Sequence, residues 1–124
     1  MSNHTEEEAV KELIQRYIDG TYEADGEKLR GVFHEKAVMN GYLGPNLLTG
    51  DPAPFIEDMT GSPSMKSNND PYETEIKYLV IEGNAASLAL YETGFRGDAS
   101  LVDFFHCIKT DGEWKIISKL FTTM

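Results

Sequence analysis

The sequence predicts an α+β fold, in which helices come first along the chain and strands follow. Apolar residues near the N-terminus recur at helical spacing, whereas residues from Glu73 onward alternate with the period of a strand. The predicted strands are separated by short turns at Gly83-Asn84, Gly97-Asp98 and Asp111-Gly112. Strands joined in this way form an antiparallel meander, and the preceding helices then cover one face of the sheet.

The first helix is predicted to begin at Thr5, because Thr5 and Glu8 have the spacing of a capping box. Its apolar stripe has the helical spacing i, i+3, i+4, i+7 and i+8 and consists of Val10, Leu13, Ile14, Tyr17 and Ile18. Gly20 is expected to end or weaken this helix. A second helix is expected to begin near Asp25, with Leu29, Val32 and Phe33 as its buried face.

A short strand is predicted from Ala37 to Tyr42, closed by Gly44-Pro45. Asp51 followed by Pro52 then has the pattern of a helix start, and Phe55, Ile56 and Met59 continue as a third helix. The polar segment from 61 to 71 is expected to be a loop at the rim of a pocket. The predicted order is therefore α-α-β-α-β-β-β-β.

The last two strands, between Leu101 and Met124, contain the longest apolar pattern of the chain. Their apolar residues fall on both parities, which indicates a sheet that is covered on both faces. Because a monomer exposes few apolar patches of that extent, we expect a homodimer that forms through the outer face of the sheet. Asp103 and Lys119 interrupt the apolar run and could form an ion pair across the hairpin.

Length and composition indicate a single globular domain spanning residues 1–124. The formal net charge of −10 disfavours nucleic acid and anionic membranes as partners. No apolar run is long enough to span a bilayer, and the N-terminal residues are acidic where a secretion signal would be basic. We therefore expect a cytoplasmic protein. The single cysteine, Cys107, excludes an intramolecular disulfide.

Three strings of the sequence resemble the nuclear transport factor 2-like superfamily, and in particular the proteins labelled Putative lumazine-binding. The strings are LIQRYIDG (13–20), LRGVFHEKAVMNG (29–41) and DFFHCIKTDGEWKIISKLF (103–121). The resemblance implies a cystatin-like cone, in which helices close over the concave face of a curved, mainly antiparallel sheet. It further implies a ligand pocket between these two layers and a dimer, but it names no reaction.

Ketosteroid isomerase, a member of this superfamily, provides a specific comparison because it uses a tyrosine, a general-base aspartate and a protonated aspartic acid. The string QRYI places Tyr17 where that tyrosine occurs. Gly41 stands where the resemblance would place the base, and the third group maps near His106. Steroid isomerase chemistry is therefore not expected.

Two classes of function remain open on the sequence. The chain could be a binding module for a small apolar or aromatic molecule, or a cofactor-free acid/base enzyme of the isomerase, dehydratase or cyclase type. The candidate catalytic residues are His106, Tyr17 and His34. The expected ligand-binding residues are Tyr17, Phe33, Tyr42, Phe55, Met59, Tyr91 and His106, because aromatic and thioether side chains suit a flat ligand. For each of them, a purely structural role is the competing interpretation.

No metal site is predicted, because the spacings typical of histidine and cysteine ligands do not occur. Neither a glycine-rich phosphate loop nor a dinucleotide fingerprint occurs, so no cofactor is expected.

Overall fold

The computed structural model describes residues 5–124 as three helices and one six-stranded sheet, which confirms the predicted α+β class. The elements in chain order are α1 (Glu6–Glu23), α2 (Gly26–Val32), β1 (Phe33–Leu43), β2 (Asn46–Leu48), α3 (Ala53–Thr60), β3 (Glu73–Glu82), β4 (Ala85–Phe95), β5 (Ala99–Thr110) and β6 (Glu113–Thr123). Only the three-residue β2 was not predicted. None of the helices in this range is long and apolar enough to cross a membrane.

Helix α1 begins where the capping pattern predicts, because the Thr5 hydroxyl accepts the backbone N–H of Glu8 at 3.1 Å. The helix passes through Gly20, where it was expected to end or weaken, and continues to Glu23. A Cβ atom at position 20 would lie 3.0 Å from the side chain of Leu29. The glycine therefore allows α2 to pack closely against α1.

The strands are arranged in the order β2-β1-β6-β5-β4-β3. β3 to β6 form the predicted antiparallel meander, while β1 pairs with β6 in parallel and extends the sheet. At Asp111-Gly112 both residues have positive φ, 51° and 79°, as a tight primed hairpin turn requires. Phe33, predicted as helical, is instead the first residue of β1.

Two close backbone approaches shape the sheet. A Cβ atom at Gly41 would lie 2.0 Å from the carbonyl oxygen of Phe121, so the parallel contact of β1 with β6 requires glycine there. A Cβ atom at Gly94 would lie 1.9 Å from the carbonyl oxygen of Pro71, where the loop from 61 to 71 meets β4. That loop is not only a polar rim, since its Met65 is buried in the core.

The core lies between the helices and the concave face of the sheet. α1 contributes Val10, Leu13, Ile14 and Tyr17, and the sheet contributes Leu88, Leu90, Phe105 and Ile116. On β4 and β5 the buried side chains alternate along the strand, so residues of one parity face the helices. This parity decides which side chains reach the interior of the cone.

The burial of Trp114 provides a test of this parity. Trp114 is only 5% exposed, so we expect Trp114→Ala to lower the free energy of unfolding by about 3–5 kcal/mol. Lys109 is paired with Trp114 on the same rung of the hairpin and forms a partly exposed ion pair with Glu6. Lys109→Ala should therefore lower the free energy of unfolding by about 1 kcal/mol or less. Urea titration of both variants measures the two losses. Equal losses for the two variants would contradict the assigned core.

Candidate functional site

A hydrogen-bonded cluster of polar side chains is buried between α1 and the sheet. The Tyr17 hydroxyl donates to Asp103 Oδ2 at 3.2 Å, and Lys119 Nζ donates to the Tyr17 oxygen at 2.6 Å. Lys119 Nζ lies 3.9 Å from Asp103 Oδ2, which confirms the ion pair expected across the hairpin. Asp103 is 0% and Lys119 4% exposed, so both charges are removed from water.

A second carboxyl group, Glu92 on β4, extends this cluster. The Tyr72 hydroxyl donates to Glu92 Oε1, and burial together with the nearby Asp103 carboxylate raises the pKa of Glu92. Two negative charges buried near each other repel, so the neutral form of Glu92 is favoured. Among the described residues, no donor reaches Asp103 Oδ1.

Burial explains how the charges in the cluster are balanced. Desolvation, and then the nearby Asp103 carboxylate, raise the pKa of Glu92 well above its ordinary value. The same two causes raise the pKa of Tyr17, and burial together with Glu92 raises that of Tyr72. With Glu92 protonated, one carboxylate, Asp103, faces one ammonium group, Lys119.

Aromatic rings surround the Lys119 ammonium. Nζ lies 3.9 Å from the ring centroid of Phe55, 5.0 Å from that of Tyr17 and 5.6 Å from that of Phe121. Tyr17 also contacts Phe33 and Phe105 edge-on, with ring centroids 6.3 and 4.9 Å apart. A cation held over several ring faces is stabilised by their quadrupoles, which offsets part of its desolvation cost.

This arrangement offers both hydrogen-bonding and proton-transfer chemistry. Lys119 has three N–H donors, and Asp103 accepts hydrogen bonds from the side of the cluster that faces Tyr17. Glu92, whose raised pKa favours its protonated form, is a potential proton donor beside Asp103. The cluster could therefore orient a polar planar molecule or transfer a proton to and from it.

Three predicted site residues lie outside this cluster. His106, Tyr91 and Tyr42 are exposed, and Tyr42 and Tyr91 are 49% and 37% accessible. Pairing of β5 with its neighbours places His106 on the same sheet face as Ser87 and Ser118, opposite the face of Asp103 and Phe105. The predicted convergence of His106 with Tyr17 is therefore wrong.

The parity error has a physical cause. Phe104 and Leu120, a cross-strand pair on the outer face, are as apolar as residues that line the core. When both faces of a strand are apolar, the pattern does not indicate which parity points inward, and a shift by one residue moves every side chain to the other face.

The other predicted residues have mixed placements. Phe33 and Phe55 each contact Tyr17 in the cluster, and Met59 is buried in the adjoining core, where its sulfur accepts from Arg96 at 3.5 Å. His34 lies at the start of β1, where its Nδ1 accepts the N–H of Lys36 at 3.0 Å. This local hydrogen bond is the structural role that was the alternative to a catalytic role for His34.

Sequence reasoning missed Glu92 and Tyr72 entirely, and it considered Asp103 only as half of an ion pair. A signal for Glu92 does exist, because it continues the inward parity of Leu88 and Leu90. The register then places Leu90 opposite Asp103, which makes Glu92 the diagonal neighbour of Asp103 on the same face. Residues 5–124 contain no group of three or more histidine, cysteine or acidic side chains that could hold a metal ion.

Glu92 should make stability depend on pH in a specific direction. The folded protein retains a proton on Glu92, whereas the unfolded chain releases it above the ordinary pKa of 4.5. Stability should therefore fall as the pH rises above about 4.5, by up to 1.4 kcal/mol per unit for one proton, until the raised pKa is passed. Glu92→Gln should flatten this slope in urea titrations between pH 5 and 7. Glu73→Gln, an exposed control at the start of β3, should leave it unchanged.

Comparison with known proteins shows the family of this chain. The model of the family described as Putative lumazine-binding matches residues 5–122. Among curated protein sequences, none matches the chain.

Solved structures share the fold along nearly the whole chain. A nuclear transport factor 2-like protein of unknown function from Silicibacter pomeroyi DSS-3 is 20% identical, with a TM-score of 0.86 and 100% coverage of both chains. A similar protein from Shewanella baltica OS155 is 24% identical, with a TM-score of 0.85 and coverage of 100% of this chain and 98% of the other. A ketosteroid isomerase-like protein from Erwinia carotovora atroseptica SCRI1043 is 16% identical, with a TM-score of 0.67 and 94% coverage of both.

At these identities the structures establish the fold, and the family is established by the match over residues 5–122. The chain therefore belongs to the family described as Putative lumazine-binding.

Proposed function

We propose that this protein binds a small planar heteroaromatic molecule at the cluster of Tyr17, Asp103 and Lys119. The observation that carries the proposal is the burial of an ammonium and a carboxylate among aromatic rings. Buried ion pairs of this kind contribute little net stability compared with apolar packing. Perturbed titratable groups in such a setting are typical of functional sites.

The chemistry of the cluster favours a ligand with an N–H group next to a carbonyl. The Asp103 carboxylate can accept the N–H, and Lys119 and Tyr17 can donate to the carbonyl oxygen. The rings of Tyr17 and Phe33 supply the apolar contacts of a flat molecule. Lumazine, which the family's description names, is a bicyclic molecule with such an edge and is the natural probe.

The second candidate is an acid/base enzyme without a cofactor. It is favoured by one observation, the burial of the Glu92 carboxyl close to that of Asp103, which raises the pKa of Glu92 and suits it to donate a proton. The catalytic candidates then become Asp103, Glu92 and Tyr17, in place of His106 and His34. A base at Gly41 is ruled out by geometry, because the backbone of Phe121 fills the space where a side chain would begin.

Lumazine titration, followed by the fluorescence of lumazine itself, tests the binding proposal. We expect saturable binding to the wild type, and a loss of at least tenfold in affinity for Asp103→Asn and Tyr17→Phe, because each removes one side of the hydrogen-bonded pair. Tyr78→Phe, a matched change on the outer face, should bind like the wild type.

The same samples separate binding from catalysis. Chromatography of the ligand after incubation should return lumazine unchanged if the protein only binds it. Equal affinity of wild type, Asp103→Asn and Tyr17→Phe would place the ligand elsewhere and contradict the proposal.

We further propose that the protein is a cytoplasmic homodimer that associates through the outer face of the sheet. The large apolar side chains exposed on this face include Val38, Tyr78, Val80, Tyr91, Phe104 and Leu120. Cross-strand pairing places them on three adjacent rungs of the sheet, so they form one continuous patch. A second copy of the chain would cover it with an identical surface.

Light scattering at micromolar concentration checks this assembly, with a mass of twice 13.9 kDa expected for the wild type. Leu120 lies centrally in the patch, so Leu120→Glu should raise the dimer dissociation constant at least tenfold by burying two like charges. Ser62→Glu adds the same charge in the exposed loop from 61 to 71 and should remain dimeric. A wild-type monomer at this concentration would contradict the proposal.

A further inference from the structure

Phe55 of α3 occupies the position beside the polar cluster that a flat ligand would need. Its ring is stacked against Tyr17, with centroids 6.1 Å apart and planes inclined by 21°. Lys119 Nζ lies over the same ring, 3.9 Å from its centroid. Of the three groups that would recognise a planar ligand, Tyr17 and Lys119 therefore already contact the aromatic ring of Phe55.

We propose that Phe55 is an internal occupant of the ligand subsite, and that the ligand replaces its ring when it binds. This inference rests on the proposed function and adds the residue that determines which molecules enter. A replacing ligand must restore both the stacking on Tyr17 and the contact with the Lys119 ammonium. A planar ring with an electron-rich face meets both demands, whereas a saturated ring of equal size does not.

The Phe55 ring can leave the subsite while α3 stays in place. Ile56 and Met59 of the same helix are buried in the core, and Arg96 contacts Asp58 near the helix C-terminus, with Nη1 3.0 Å from Oδ2. These contacts hold the helix and do not involve Phe55. Phe55 itself is only half-buried, so its ring lies where a ligand would arrive from solvent.

The segment before α3 is fixed by hydrogen bonds. The Gly50 N–H donates to Asn40 Oδ1 at 3.1 Å, and Asp51 Oδ1 accepts the N–H of Ala53 at 2.8 Å. Rotation of the Phe55 side chain, with the backbone of α3 in place, is therefore the movement that the exchange requires.

The opposite effects of two substitutions test the proposal. Phe55→Ala removes the internal ring, so lumazine should bind at least threefold more tightly, whereas a residue that only contacts the ligand would weaken binding when truncated. Phe55→Leu keeps an apolar side chain without a π face, serves as the variant that preserves packing, and should also bind lumazine more tightly than the wild type. Tyr91→Ala removes a ring that lies under Lys77 on the outer face and is the matched control.

Toluene provides a second probe that does not depend on lumazine. An apolar space left by a deleted ring takes up small aromatic molecules, so saturating toluene should raise the Tm of Phe55→Ala by 2 °C or more. It should leave the wild type and Tyr91→Ala unchanged.

The outcomes separate the two proposals. If Phe55→Ala binds toluene, and neither the wild type nor any variant binds lumazine, the subsite is supported and lumazine is overturned as the ligand. Lumazine binding that weakens in Phe55→Ala and Phe55→Leu would support the proposed function and overturn the role of Phe55. Failure of Phe55→Ala to bind either molecule would overturn the subsite.

Discussion

The contact of Lys119 with Tyr17 and Asp103 is the constraint on which the interior of the cone depends. A buried ammonium requires a compensating charge, and Asp103 lies 3.9 Å away on the neighbouring strand. The Tyr17 hydroxyl connects both charges to helix α1 by two hydrogen bonds. Removing one partner would leave a buried charge uncompensated, which typically costs 3–5 kcal/mol. The cluster therefore fixes where α1 lies on the sheet.

The remaining fold supports that position. Gly41 lets β1 approach the backbone of β6, which carries Lys119, and Gly20 lets α2 pack closely against α1, which carries Tyr17. These two close contacts fix the positions of β6 and α1, which carry Lys119 and Tyr17. A well-packed scaffold of this kind is what a site needs to keep hydrogen-bonding groups within a few tenths of an ångström.

The two faces of the sheet have different properties. The concave face carries charges and hydroxyl groups that are buried and paired, and the outer face carries exposed aromatic and aliphatic side chains such as Phe104 and Leu120. Ligand recognition and self-association can therefore use opposite faces without sharing a residue. The alternation of side chains in strands β4, β5 and β6 makes this division possible.

The sequence by itself determined the fold class, the order of the principal elements and most of the turns. These features follow from local signals, such as the capping box at Thr5 and the positive φ that Asp111-Gly112 accepts. It also identified Tyr17 and the pairing of Asp103 with Lys119, because a polar group in an apolar stripe requires a partner.

Only the tertiary structure decided which parity of β5 faces the helices, and with it the site. His106 and Asp103 both lie in apolar surroundings along the chain, yet Asp103 is buried and His106 is exposed. Glu92 and Tyr72 join the cluster through strand register and a loop contact that link residues far apart in the sequence. Long-range packing sets these relations, and a local pattern carries no information about them when both faces of a strand are apolar.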